Sequence, residues 1–245
     1  MQLSRFNAFI ERQAKWKIAL VATLIHGVLY LLPNHIHLFP PRELPLSAVD
    51  RAVPFWPATV WVYWTDYALV FVGFRYCRPL GTTIRFVYAL LTLVLVATAI
   101  QWLWPTTYPR EVFPIPDGTD PVTAFLFRRF READSPASCL PSLHVAASYL
   151  AAFAVLHHDR RHAALLSLWA TAIFVSTLTT KQHYVVDGLA GLALAAAVWW
   201  GFASWMRVRV ALTETSPSAP SSAAQGPSTG TATAGRGSSG GAASR

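Results

Sequence analysis

The chain has 245 residues, of which 53% are hydrophobic and only 13% charged; it carries ten tryptophans and a formal net charge of +8. Soluble domains carry about 25% charged residues, so this composition excludes an ordinary soluble globule and makes lipid the solvent for much of the chain. The excess of Arg and Lys sits in short clusters between apolar runs, which is the pattern that orients membrane spans and not a basic face for nucleic acid.

Six runs are long and apolar enough to cross a bilayer, each near 20 residues. The first, 16–32, follows a leader with Arg5, Arg12, Lys15 and Lys17 and stops at Pro33. No small-x-small cleavage site follows it, so it reads as an uncleaved span and not a signal peptide. The second, 56–74, opens at Pro57 and contains Asp66; the third, 83–104, stops at Pro105. The link 105–138 is rich in Pro, Gly and charge, and within it 122–131 mixes Phe and Leu with Arg, as an interfacial helix does. The fourth, fifth and sixth spans are 141–156, 163–178 and 185–206. Beyond 211 the chain turns to Ser, Ala, Gly, Thr and Pro, which cannot bury enough to fold. The expected organisation is a basic segment (1–15), a six-span membrane domain (16–210) and a disordered tail (211–245). The fold class is all-α, a polytopic helix bundle.

Loop charge sets the orientation. Arg75, Arg78 and Arg85, then Arg160 and Arg161, then Arg207 and Arg209 fall on the side of the amino-terminal segment, which the positive-inside rule makes cytoplasmic. The opposite links are balanced, with Arg42 and Arg51 against Glu43 and Asp50. Both termini are therefore expected in the cytoplasm. Cys77 and Cys139 fall on opposite sides, so no disulfide is expected, and no metal or other cofactor is called for.

Two motifs carry chemistry, both at outer ends of spans. Cys139-Leu140-Pro141-Ser142-Leu143-His144 opens the fourth. Proline suits the first turn of a helix, and the free amides there, with the Ser142 hydroxyl, make an anion site beside His144. Thr179 to Gly188 opens the sixth and contains Lys181, His183 and Asp187. His183 and Asp187, four residues apart, share one helix face. The carboxylate can fix the imidazole tautomer and leave the other ring nitrogen as a nucleophile, while Lys181 can neutralise phosphate oxygens. Taken singly, each motif has a bland reading: a helix start with an interfacial histidine, or an Asp serving as a helix-start charge. Loop charge alone places both histidines on one side, which favours a joint site. Asp66, a carboxylate inside a span, is a functional candidate by default, with a packing hydrogen bond as its ordinary alternative. The remaining histidines, at 26, 35, 37, 157, 158 and 162, read as bystanders.

These motifs resemble those of the type 2 phosphatidic acid phosphatase superfamily, which pairs Pro-Ser-Gly-His with Ser-Arg-x5-His-x3-Asp on six spans. Pro141-Ser142-Leu143-His144 matches the first with Leu for Gly. His183 and Asp187 match the end of the second, where Ser176 keeps the serine and Thr177 replaces the arginine. The family's opening Lys-x6-Arg-Pro is absent as such: Arg78-Pro79 falls on the cytoplasmic side, with Phe71 where the lysine would stand. These departures, with the run Asp50 to Tyr67, look like the branch of inositol phosphorylceramide and sphingomyelin synthases. The resemblance covers the chain to about Arg207. It implies that His183 attacks phosphorus, Asp187 orients it, and His144 protonates the leaving alcohol and then activates the acceptor. Ser142, Lys181 and Arg110 would hold phosphate oxygens. The expected function is a membrane lipid phosphatase or phosphotransferase, acting on a lipid phosphate or phospholipid at the outer face of a bacterial inner membrane. Headgroup transfer to ceramide or diacylglycerol is the alternative reading. A non-enzymatic protein on the same scaffold is the third; it is expected to have lost His144, His183 or Asp187, and this chain keeps all three.

Overall fold

The computed structural model describes residues 15–35, 38–78, 80–134 and 137–214. Helix α1 (Lys15–His35) is followed by strand β1 (Arg42–Glu43), short helix α2 (Ala48–Ala52), a 3-10 turn (Pro57–Thr59), α3 (Val60–Tyr63) and α4 (Asp66–Tyr76). Then come α5 (Leu80–Leu103), β2 (Thr106–Thr107), a 3-10 turn (Arg110–Val112), α6 (Pro121–Ala133), α7 (Leu143–Leu156), α8 (Arg160–Thr179) and α9 (Val185–Glu214). Three described helices are long and apolar enough to cross a membrane: Leu80–Leu103, Arg160–Thr179 and Val185–Phe202. Two shorter apolar helices, Trp16–Leu29 and Leu143–Leu156, accompany them. The expected tail beyond 214 lies outside the described residues.

Helix α7 is the axis of the bundle, packed against α4, α5, α8 and α9. Its Ala-rich sequence lets neighbours approach closely, the usual basis of helix association in lipid, and Val145, Ala146, Ala147, Leu150 and Ala151 are fully enclosed. Gly73 of α4 faces the Ala151 Cβ so closely that a methyl group there would stand 2.7 Å from it. Leu95, Leu103, Leu165, Leu168 and Leu189 point outward and exposed; in a membrane bundle such a belt faces lipid tails.

One expectation is corrected and one extended. The continuous second span is broken. Thr65 turns its hydroxyl onto the Val62 carbonyl and accepts a hydrogen bond from Trp169 Nε1 at 2.7 Å. The chain restarts as α4 with Asp66 in its first turn, where helix amides favour a carboxylate. The link helix is longer than its amphipathic core suggests: Pro121 is at its first position and Asp120 accepts from the Thr123 amide at 2.9 Å. It does more than lie on a surface, because Phe127 and Phe130 pack into Val60 and Tyr63.

The two ends of the bundle differ in chemistry. At one end, Arg85 donates to the Trp199 carbonyl and lies 3.6 Å over its ring, and His162 stacks on Tyr76. At the other, β1 pairs in parallel with β2, and Thr106 bridges to Ser138. This small sheet ties three links over the amino-terminal ends of α7 and α9, where both histidine motifs sit. Cys77 belongs to the first end, its thiol directed at the Ala154 carbonyl, and Cys139 to the second, its thiol directed at the Gln182 carbonyl.

Candidate active site

Helix α8 ends in a tight reversal that presents His183. The Gln182 amide bonds the Thr177 carbonyl at 3.1 Å and the Lys181 amide bonds that of Leu178 at 3.1 Å. This is the paired closure of a Schellman motif, whose turning residue is left-handed and normally glycine. Here it is Lys181, at φ 54°. A side chain in that conformation costs about 1 kcal/mol. Its ammonium offsets that cost by bonding the carbonyls of Asp50 at 2.8 Å and Val53 at 2.5 Å. Lys181 thus staples the reversal to α2 and spends two of its three donors on carbonyls instead of facing the histidines. Burial pulls its ammonium below the ordinary lysine range, partly opposed by Asp50.

Asp50 completes the staple. Its Oδ1 accepts from the Val185 amide at 2.8 Å, and its Oδ2 accepts from the Ser47 amide and hydroxyl. Burial by itself would raise this carboxyl. The hydrogen bonds from Ser47 and Val185 and the Lys181 charge outweigh it and hold Asp50 below the usual carboxylate range. One carboxylate therefore caps α2 and the head of α9 together. The sequence reading missed this role: the sole local signal was the Ser47–Asp50 capping spacing, and the partner amide lies 135 positions away.

Asp187 serves two purposes. Its Oδ2 accepts from the Tyr184 amide at 2.8 Å, reaching back from the third position of α9 as a helix-start acid does. The same oxygen lies 3.4 Å from His183 Nδ1. One carboxylate oxygen thus serves the helix start and faces the imidazole at once. With Nδ1 turned to the carboxylate, Nε2 is the free nitrogen, and it sits 3.3 Å from Ser142 Oγ.

Ser142, not Pro141, begins α7, as its N-cap. The serine hydroxyl makes no capping bond; it is directed at His183, and the Ser142 amide bonds the Asp187 carbonyl at 3.0 Å. The first amides of α7 have no intrahelical acceptor. Gln101 of α5 holds this turn by donating to the carbonyls of Ser138 and Pro141 at 3.1 Å each. His144 stands one residue into the helix, its ring centroid 6.1 Å from that of His183. Tyr63 hydroxyl lies 3.1 Å from His144 Nδ1, and Asp66 Oδ2 lies 3.9 Å from Nε2.

The structure thus brings together Ser142, His144, His183, Asp187 and Asp66, all buried. Arg110 is buried close by, paired to the Asp134 carboxylate at 2.9 Å and bonded to its carbonyl. Arg131 of α6 was not singled out in the sequence. Its guanidinium lies over Phe127 and Phe55, with buried Nε and Nη2 that meet no acceptor. Burial and the neighbouring Arg110 pull it down to about 10. Position 177, where the family has arginine, holds an enclosed threonine whose hydroxyl returns to the Phe174 carbonyl. His26, expected as a bystander, is buried with its ring 5.6 Å from Tyr67, itself in ring contact with His144. Asp159 caps α8 by accepting from the His162 amide, and its other oxygen lies 2.5 Å from His162 Nδ1; His37 lies outside the described residues.

Cys139, His183 and Asp187 each offer a ligand atom within 4.8 Å of the others. This donor set would suit zinc, but its imidazole and carboxylate already face one another. A metal there would take the nitrogen that Asp187 orients. The arrangement sets an oriented imidazole, a hydroxyl and helix-end amides around one point, with a second imidazole across from it, as nucleophilic and acid–base chemistry on an anionic group requires.

A comparison with curated proteins finds no match, and a comparison with solved structures finds none. The family model described as PAP2 superfamily matches residues 28–201, a stretch that takes in both histidine motifs, all of α7, and α9 as far as Gly201. The chain is an integral membrane protein of the PAP2 superfamily.

Proposed function

We propose that this protein cleaves a phosphoester of a lipid phosphate or phospholipid through a phosphohistidine on His183. Membership of a superfamily of phosphatases and phosphotransferases supports the reaction class. The observation that carries the reading is the alignment of Asp187, His183 Nε2 and Ser142 Oγ, with the His144 ring opposite. His183 Nε2 forms a bond to phosphorus as the bond to the leaving alcohol breaks, and His144 gives that alcohol its proton. An acceptor then loses its proton to His144 and displaces His183. Ser142, the first amides of α7 and the buried positive charge of Arg110 and Arg131 hold the non-bridging oxygens; Lys181 supports the turn.

The membrane domain is read as residues 16–210, between a basic segment and a Ser-, Ala- and Gly-rich tail. Its six spans are α1, the broken segment from Pro57 to Tyr76, α5, α7, α8 and α9, with both termini cytoplasmic. The site then faces outward, on the periplasmic side of a bacterial inner membrane. Reporter fusions at Gly118 and Lys181 are expected to report the outer side and a fusion at Arg160 the inner side. An inner signal at Lys181 overturns that placement.

Thr177 favours a second reading. Without the family's arginine the site is less cationic, which suits a diester with one negative charge better than a monoester with up to two. A diester donor means headgroup transfer to ceramide or diacylglycerol. Purified protein in detergent, given phosphatidic acid, is expected to release inorganic phosphate. A new phospholipid from a phosphoinositide with ceramide or diacylglycerol, without free phosphate, would replace hydrolysis by transfer.

A further inference from the structure

A cavity of about 410 Å³ runs from the flank of the bundle to His144. That volume falls within the range of small-molecule sites. Helix α1 forms one wall, and the break between α3 and α4 forms the other. Its outer part is lined by Leu24, Val28 and Trp64, which are 58%, 62% and 49% exposed. In a bilayer these three face lipid, so the cavity opens sideways into the hydrocarbon. Its inner end is polar: Asp66, the Asp134 carboxylate that pairs with Arg110, and His144.

Asp66 is the unexplained group there. It is fully enclosed, and neither carboxylate oxygen makes a hydrogen bond of standard geometry, although the first amides of α4 lie close by. Burying such a group without a partner costs several kcal/mol. Its Oδ2 stands 3.9 Å from His144 Nε2, too far for a direct hydrogen bond. One oxygen atom about 2.8 Å from each would give the Asp66 carboxylate a hydrogen-bond partner and set that oxygen against His144. A phosphate would be repelled by the carboxylates. A hydroxyl would not: it gives its one proton to Asp66 while a protonated His144 meets its lone pair, or turns that proton to a neutral His144.

We propose that this cavity is the alcohol subsite, and that the alcohol is a long-chain lipid alcohol lying along α1 with its hydroxyl between Asp66 and His144. The inference rests on the phosphohistidine reading and specifies its other reactant. In the first step the oxygen at this position leaves phosphorus and takes the His144 proton as His183 Nε2 bonds to phosphorus. In the reverse sense the hydroxyl proton passes to His144, the oxygen–phosphorus bond forms and the His183–phosphorus bond breaks. One subsite serves a departing lipid alcohol and an accepting one.

The test uses Gly27, on the α1 wall. A methyl group there would meet Tyr67 at 4.0 Å, an ordinary contact, so Gly27→Ala fits, whereas Gly27→Phe fills the cavity. The probe is 12-bromododecanol, added to the full chain in detergent and read as quenching of Trp64, isolated by comparison with Trp64→Phe. Quenching is expected in the wild type and in Gly27→Ala, with at least tenfold weaker binding in Gly27→Phe. The wild type should prefer 12-bromododecanol to 1-bromododecane by at least tenfold, and Asp66→Leu should erase that preference. Equal quenching in wild type and Gly27→Phe overturns the subsite, as does an equal response to the two probes in the wild type. Turnover then separates the sources. A preference for dodecyl over ethyl phosphate as donor marks a departing alcohol. A preference for dodecanol over ethanol as acceptor marks an accepting one. Chain-length preference in neither arm also overturns the subsite. Specific quenching without turnover of any phosphoester leaves the subsite standing and removes the phosphohistidine reading instead.

Discussion

His183→Ala is expected to abolish turnover, by about 10³-fold or more, since removing a covalent nucleophile leaves nothing to form the intermediate. The variant should remain in the membrane at normal yield, because its ring contributes one hydrogen bond to Ser142 and one to Asp187, while the Lys181 and Asp50 staple holds the turn independently. His144→Ala should fail differently. Its loss removes the proton for the leaving alcohol, so a lipid phosphate is not cleaved. An aryl phosphate, whose leaving group needs no proton, should still phosphorylate His183. That intermediate should then persist, because the same imidazole is the base of the second step. Asp187→Asn is expected to keep a small residue of activity. Acid-labile label trapped on His144→Ala and absent from His183→Ala is the readout; near-normal activity of His183→Ala ends the phosphohistidine proposal.

How far the sequence reached depends on the range of the interactions involved. Hydrophobic run length is a local property, and the helical segments fall close to where the runs place them. The nearness of His183 and Asp187 was legible from their separation of four, but not its form: α9 begins at Val185, so His183 lies in the turn before it and Asp187 reaches back to meet it instead of sharing a helix face. The staple of Lys181 and Asp50 was not legible. It joins side chain to backbone across 131 positions, and nothing in either neighbourhood announces the other. Charge and proximity in sequence point Lys181 at phosphate; geometry sends its ammonium to two carbonyls. The break at Thr65 escaped notice because apolar run length does not record where a hydroxyl competes with the backbone for a carbonyl. That break turns Asp66 from a generic intramembrane acid into a wall of the cavity beside His144.

Gly191 was given no role in the sequence reading, and its substitution is expected to have the second largest effect. It lies one turn below Asp187 on α9, where that helix crosses the head of α7. A Cβ built at Gly191 would stand 2.4 Å from the Ser142 carbonyl oxygen and 3.3 Å from the Ala146 amide nitrogen. Those atoms are backbone, and they are bonded to each other as the first turn of α7. No rotamer can relieve the clash, so the two helices must part by about 1 Å, at a cost of about 1–3 kcal/mol. The bundle can absorb that through its other contacts. The site cannot, because the Ser142 amide to Asp187 carbonyl bond and the Ser142 to His183 contact both cross this seam. A displacement of about 1 Å at reacting groups costs about 10²-fold in rate. Gly191→Ala should therefore lose about 10²-fold in kcat while still inserting and purifying as a folded protein. Gly201→Ala on the same helix, where the added methyl meets nothing within 4 Å, should be silent in the same assay. A Gly191→Ala enzyme with wild-type kcat would show that α7 and α9 need not touch at this point for the histidines to work.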